Sequence, residues 1–124
     1  MATHINDWAS AVAVHAAVHP SPRINAFSSN AIDLISSDGD CFAIQQVGSF
    51  EEGNSWTGRI EQSADGSSWS DIPGAVFAAV TAANNTQVLR FRRTARYVRY
   101  SATVEGSTNE LILAVLIGQQ RKSF

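Results

Sequence analysis

The sequence contains little of what marks several large classes of protein. Its single cysteine, Cys41, cannot form a disulfide within the chain, and the apolar residues that follow it predict a buried thiol. Charged residues make up 16% of the chain and the net charge is -2, which argues against a general nucleic-acid binder. These counts favour a protein that folds in a cytosol.

The chain also lacks an apolar run long enough for a membrane helix or a signal peptide. Its most apolar N-terminal stretch, residues 11–18, is interrupted by His15 and follows Asp7 rather than a basic region. The sequence therefore predicts no signal peptide and no membrane-spanning segment.

Residues that catalyse reactions or bind metals are few. His15 and His19 have the i, i+4 spacing of a metal clamp on a helix, but no cysteine or carboxylate lies close by in sequence to complete the ligand set. Asp38 and Asp40 resemble the start of a calcium loop, yet the later ligands are missing, so a plain turn is favoured. No serine lies in a nucleophile elbow, and no glycines have the spacing of a phosphate-binding loop. We predict a protein that is not an enzyme and uses no metal or cofactor.

What the sequence does contain is the composition of one folded domain. The chain has 124 residues, of which 44% are hydrophobic. Asp7 could cap a short helix over Trp8 to Val18, after which two prolines force an extended chain. We therefore predict an N-terminal arm or short helix over residues 1–29 and a folded domain over residues 30–124.

From about Asn30 onward the apolar residues follow the period of strands, separated by Gly, Asn, Asp and Ser. The predicted strands are Ala31 to Ile35, Cys41 to Val47, Thr57 to Ser63, Ser68 to Ile72, Thr86 to Phe91, Arg96 to Val104 and Glu110 to Gly118. Residues 37–40, 64–67 and 105–109 have the composition of hairpin turns between successive strands. The pattern predicts an all-β protein, a single β-sandwich or jelly-roll-like domain of about seven to eight short antiparallel strands.

The last predicted strand is apolar at every position from Leu111 to Ile117. Because successive side chains of a strand point to opposite faces, such a run needs cover on both sides. Two alternatives remain open: a central strand of the sandwich, or a strand buried by a partner subunit.

Five of the nine basic residues lie in one segment: Arg90, Arg92, Arg93, Arg96 and Arg99. In one interpretation Tyr97 and Tyr100 stack on bases while the arginines hold phosphates. In the other, the arginines pair with carboxylates such as those of Glu51, Glu52 and Glu61, within the domain or across an interface. The negative net charge favours the second interpretation.

Several of these segments together resemble a family of small structural proteins of tailed bacteriophages. The resemblance rests on Glu61 to Gly74, which reads Gln-Ser-x-Asp-Gly-x-x-Trp-x-Asp-x-Pro after its first residue, on Arg96 to Tyr100, and on the final apolar strand with its short basic tail. It covers roughly residues 31–122. The resemblance implies a β-sandwich virion protein made in the host cytoplasm, a capsid decoration or cement protein that coats the outer shell, commonly as a trimer.

The resemblance also implies partners, namely the major capsid protein and further copies of the chain, with no specific nucleic acid and no membrane. The residues predicted to make these contacts are the arm residues Trp8, Val12, Val14 and Val18 and the arginines Arg92, Arg93, Arg96 and Arg99. Two alternatives are a neck, tail or head-completion component of the virion, and a discoidin-like carbohydrate-binding module, since such sandwiches share the Ser-x-Asp-Gly-x-x-Trp and Arg-Tyr-Val-Arg segments.

Overall fold

The computed structural model describes residues 12–23, 25–50, 54–106 and 110–121. Within these ranges the chain forms strands and connecting loops, with no helix. The strands are β1 (Val12–Arg23), β2 (Phe27–Ser28), β3 (Ile32–Asp33), β4 (Ser37–Val47), β5 (Asn54–Ser63), β6 (Ser70–Val76), β7 (Asn85–Phe91), β8 (Tyr97–Gly106) and β9 (Leu111–Arg121). The predicted all-β fold is confirmed.

Two antiparallel sheets pack together as a sandwich. The four-stranded sheet has the order β1-β9-β4-β7, and the five-stranded sheet has the order β2-β8-β5-β6, with β3 also paired to β8. Alternate residues of each central strand point inward and are buried, for example Leu113, Val115 and Ile117 on β9 and Val98 and Tyr100 on β8. These side chains form one hydrophobic core between the sheets.

The N-terminal segment differs from its prediction. Val12–Arg23 is an edge strand paired with β9, with register shifts around Val18, so of the two predicted alternatives, an arm or a short helix over Trp8 to Val18, the helix does not form over Val12 to Val18. The alanines there favour a helix, but pairing with a long apolar strand overrides that local preference. An edge strand also tolerates Pro20 and Pro22. Residues 12–23 and 27–28 thus lie in the sheets of the sandwich, while residues 1–11 lie outside the described ranges.

Of the three predicted hairpin turns, one is confirmed. Strands β5 and β6 are antiparallel neighbours, and the turn between them has Gly66 at a φ of 81°. The Asp65 carboxylate accepts hydrogen bonds from the amides of Ser67 and Ser68, at 2.8 and 3.0 Å, which holds this turn in place.

The other two connections are not hairpins. Residues 37–40 lie inside β4 rather than in a turn, and β3 and β4 belong to different sheets. Strands β8 and β9 also belong to different sheets, so the chain crosses the sandwich between them. Turn composition indicates that the chain reverses but not which sheet the next strand enters.

A chain of hydrogen bonds crosses the core between the two sheets. The indole N–H of Trp56 donates to the Tyr100 hydroxyl at 2.9 Å, and that hydroxyl donates to the side-chain oxygen of Gln45. Trp56 and Tyr100 belong to the five-stranded sheet, whereas Gln45 belongs to the four-stranded sheet. Gly58 makes room for them, because a Cβ at that position would lie 2.2 Å from the Tyr100 oxygen. Burial raises the pKa of Tyr100, so its hydroxyl keeps its proton.

We expect Tyr100→Phe to lower the free energy of unfolding by about 2–4 kcal/mol, because the substitution leaves a buried donor and a buried acceptor without a partner. Urea denaturation measures the change. Tyr97→Phe is the matched control, since the Tyr97 hydroxyl makes no hydrogen bond to a described residue, and we expect it to cost less than about 0.5 kcal/mol. Equal losses in the two variants would contradict the bridging role of Tyr100.

Candidate functional site

The most distinctive surface of the molecule is the side of the four-stranded sheet that points away from the core, which we call the outer face. The strand register places Phe42 opposite Gly118, Ile44 opposite Leu116 and Val88 opposite Ile44, so these side chains share one side. The outer face comprises Val14, Ala16, Phe42, Ile44, Val88, Ile112, Ala114 and Leu116, contributed by all four strands.

Several of these apolar side chains are open to solvent. Val88 is 71% exposed, Val14 51%, Leu116 39% and Ile112 36%. The ring of Phe42 lies across Gly118, because a Cβ at Gly118 would lie 2.3 Å from it. The outer face therefore presents neighbouring apolar side chains to solvent, a feature that marks interaction sites.

Strand β9 runs through the middle of this surface. It is hydrogen-bonded to β1 on one side and to β4 on the other, so it is a central strand of its sheet. Its inward residues are buried in the core, whereas Ile112 and Leu116 on the outer face remain partly open to solvent. Strand β9 is thus apolar throughout because one of its faces lies in the core and the other belongs to the outer face.

Polar groups border the outer face at both ends. Arg90 lies opposite Phe42 on β7 and makes no ion pair with a described residue. Arg92 is exposed, and its guanidinium lies 2.7 Å from the Asp40 carboxylate. At the other end a shallow pocket is lined by Pro20, Gln46, Val47, Gly48, Asn84, Thr86, Ile112 and Ala114. An apolar centre with a polar border is the usual anatomy of a protein-binding surface.

The predicted arm contacts are only partly on this surface. Val14 lies on the outer face, and Val12 follows the same alternation along β1. Val18 is 3% exposed and opposite Val115, so it belongs to the core and is not available as a surface anchor. Trp8 lies outside the described residues.

The arginines of the segment 90–99 are mostly engaged inside the domain. Arg96 forms two hydrogen bonds with the Asp33 carboxylate, at 2.9 and 2.7 Å. Arg99 donates to Glu61 at 2.8 Å, and its guanidinium carbon lies 4.4 Å from the ring centroid of Trp69. Pairing with carboxylates within the domain is therefore confirmed for these two arginines. Glu51 and Glu52 lie outside the described residues.

Arg93 acts as a clamp between loops and sheets. Its guanidinium donates to the backbone oxygens of Leu34, Ser37 and Ala95, at 2.6 to 2.8 Å. It also donates to the side-chain oxygen of Gln119 on β9 at 2.9 Å. With its donors committed in this way, Arg93 serves the fold, and of the four predicted arginine contacts only Arg92 is largely exposed.

Sequence reasoning missed most of the outer face. It singled out Val14 but not Val88, Ile112 or Leu116. The available signal was the apolar run of β9 together with its partner β4, where Phe42 and Ile44 alternate with the buried Cys41 and Ala43. Two neighbouring strands that are apolar on both sides indicate an apolar outer surface, but their pairing is not visible in the sequence.

Other kinds of site have no such support in the part of the chain that the structure covers. No three of its His, Cys, Asp or Glu side chains are grouped to hold a metal ion, and no helix there could cross a membrane. No model of a known protein family matches the chain, and no curated protein sequence matches it. The resemblance to phage structural proteins therefore stays a prediction.

We expect Arg93→Lys to lower the free energy of unfolding by about 2–4 kcal/mol, because an ammonium cannot replace a planar fork that reaches four acceptors. Arg92→Lys is the matched control: its side chain is 82% exposed, and we expect a loss below about 0.5 kcal/mol. Urea denaturation measures the free energy of unfolding of both variants. Similar stabilities would show that Arg93 is not a clamp.

A second prediction concerns the Asp33 carboxyl, whose pKa the Arg96 hydrogen bonds lower from 3.8 to about 2. A depressed pKa in the folded state means that the pair stabilises the protein above the unfolded pKa, and that this stability is lost as the pH falls toward about 2. We expect Arg96→Gln to raise the Asp33 pKa toward its ordinary value, as measured by NMR titration of side-chain carboxyls.

Asp65 is the internal control for this titration. Its pKa is also about 2, but the causes are hydrogen bonds from the Ser68 and Ser67 amides and from the Ser63 hydroxyl. Its titration should therefore not move in Arg96→Gln. An unchanged Asp33 pKa in that variant would exclude the ion pair as the cause.

Proposed function

We propose that this chain is a non-catalytic structural protein of a bacteriophage virion, a decoration or cement protein that binds the outer surface of the capsid through the outer face and stabilises the shell. The observation that carries the proposal is the apolar outer face. In a two-layer sandwich the outward side chains of a sheet are usually polar, because they contact water. Here all four strands of one sheet contribute apolar side chains to that side.

The occupant to which we commit is the major capsid protein. The resemblance described above supports this choice, and so does the border of the outer face, where Arg90, which has no ion pair with a described residue, would favour an acidic group on the partner. A contact limited to one face of a four-stranded sheet gives modest affinity by itself. A capsid offers many equivalent positions, so modest contacts repeated over the lattice would brace the shell against internal pressure.

The fold suits such a role because its parts are tied together independently of the outer face. The Trp56–Tyr100–Gln45 chain connects the two sheets from within. The Arg93 clamp ties β9 to the loop at Leu34. A surface held by such internal contacts loses little conformational entropy when it docks. Further copies of the chain, as in a homotrimer, are the second proposed partner.

The first test is the number of copies of this chain per major capsid protein in purified particles of the phage that encodes it, measured by quantitative mass spectrometry. Hundreds of copies per particle would support a shell-coating role, because the icosahedral lattice supplies that many equivalent sites. A dozen or fewer would replace this proposal with a neck, tail or head-completion role. Absence from particles would overturn a virion role altogether.

The same particles allow a test of the surface. We expect Val14→Lys to weaken binding to undecorated capsids by at least about tenfold, because a charge would be buried against an apolar partner. Val76→Lys is the matched control, since Val76 is 50% exposed, like Val14 at 51%, but belongs to the five-stranded sheet. Equal binding of the two variants would show that the outer face is not the contact.

A further inference from the structure

Each sheet of the sandwich has two edges, and three of these four edges carry features that hinder pairing with another strand. Strand β1 contains Pro20 and Pro22 and has register shifts. In the five-stranded sheet, β6 contains Pro73 followed by Gly74 at a φ of 79°, and β2 and β3 on the other edge are two residues long. Prolines, irregular backbone and very short strands are means by which proteins block edge pairing.

Strand β7 is the exception. Its seven residues, Asn85–Phe91, include no proline or glycine, and all of them pair with β4 without a register shift. Strand β7 is therefore a regular edge strand, and one side of its backbone has no neighbouring strand in the sheet.

The strand register identifies the backbone groups on each side of β4. The N–H and C=O of Ile112 on β9 bond to Ser49 and Gly48, so the backbone of Ile112 faces the β4 side. Backbone groups alternate between the two sides of a strand, so the even-numbered residues of β9 and β4 face each other. The odd-numbered residues of β4 therefore face β7.

On β7 the open backbone groups belong to residues whose side chains lie on the outer face. Its odd-numbered residues lie opposite those of β4, so the N–H and C=O of Thr86, Val88 and Arg90 point away from the sheet. Val88, at 71%, is the most exposed large apolar side chain of the described residues. Asn84, with a φ of 57°, donates its N–H to Gly48 before the ladder begins and does not change this alternation.

We propose that β7 pairs with β7 of a second copy of the chain, antiparallel and about a two-fold axis at Val88. In this register Val88 lies opposite the partner's Val88, and Arg90 lies opposite the partner's Thr86. All three outward residues then exchange both of their backbone hydrogen bonds with the partner. A register with Arg90 opposite the partner's Arg90 would oppose two like charges and leave the other two residues without partners in the strand.

A second copy is the occupant that these residues favour. Two β-branched valines at the axis form a favourable cross-strand pair, and the arginines lie at opposite ends of the pairing. The axis is perpendicular to the sheet, so the two outer faces lie on the same side and join into one surface. Because a two-fold contact uses both β7 edges and the remaining edges are hindered, assembly stops at the dimer. The inference concerns the free chain, so it does not rest on the proposed function, and its symmetry differs from that of a homotrimer.

Sedimentation velocity of the full chain over a range of concentrations tests the pairing. We expect the mass to rise from 13.3 kDa to twice that value, with a dissociation constant of about 10 μM to 1 mM for so small an interface. Val88→Lys should weaken the dimer at least about tenfold, because two charges would face each other at the axis. Val14→Lys is the matched control, since Val14 is also an exposed valine of the outer face but lies on β1, at the other edge of the sheet. It should dimerise as the unsubstituted chain does.

A second pair of variants separates backbone pairing from side-chain contact. Val88→Pro removes the outward N–H but no bond to β4, so we expect a folded monomer. Val88→Thr keeps the N–H and the branched shape, so its dissociation constant should change less than about threefold. Hydrogen exchange measured by NMR adds a readout on the unsubstituted chain. The Val88 amide should gain protection as the dimer forms, whereas the Leu89 amide should be protected at all concentrations.

Five results would overturn the proposal. They are a chain that stays monomeric up to about 1 mM, a mass of three or more chains, a dimer that persists in a folded Val88→Pro variant, equal weakening by Val14→Lys and Val88→Lys, and a Val88 amide that exchanges as fast in the dimer as in the monomer. If Val88→Pro does not fold, the two lysine variants and the exchange measurement decide. No capsid is present in these experiments, so their failure is distinct from failure of the proposed function.

Discussion

The four-stranded sheet depends on the antiparallel pairing of β9 with two partners at once. Strands β1 and β4 do not contact each other through a ladder, so each is held in the sheet by β9. The inward side chains of β9 supply a large part of the core, and its outward side chains supply the centre of the outer face. One apolar strand therefore serves both the stability of the fold and the surface that we propose as its contact.

The arginines differ in whether their acceptors lie within the domain. Arg93, Arg96 and Arg99 each find acceptors within the domain, on β9, β3 and β5 respectively. Arg23 lies on β1 at the edge of its sheet, and its buried Nε has no acceptor among the described residues. Arginines that are close together in sequence therefore need not share a role. Successive residues of a strand point to opposite faces, and the loops change direction, so neighbouring arginines have different surroundings.

A feature of this structure could be predicted when the residues that determine it are close together in sequence. The β5–β6 hairpin could be predicted because Asp65 and Gly66 determine a turn by their own chemistry. Strand β1 could not, because its alanines favour a helix until β9 is present as a partner. The crossings between sheets and the clamp at Arg93 depend on contacts between residues far apart in sequence. Part of the outer face could be predicted from the sequence, namely the apolar residues of β9.

The prolines of β1 limit what can pair with the open edge of that strand. The N–H and C=O of Ile112 bond to Ser49 and Gly48, so Pro22, which lies opposite Ile112, turns its ring nitrogen toward solvent. The open edge of β1 thereby loses a donor that an incoming strand would need, and the register shifts around Val18 bend it further. Edge-to-edge growth into fibrils is therefore disfavoured along this strand.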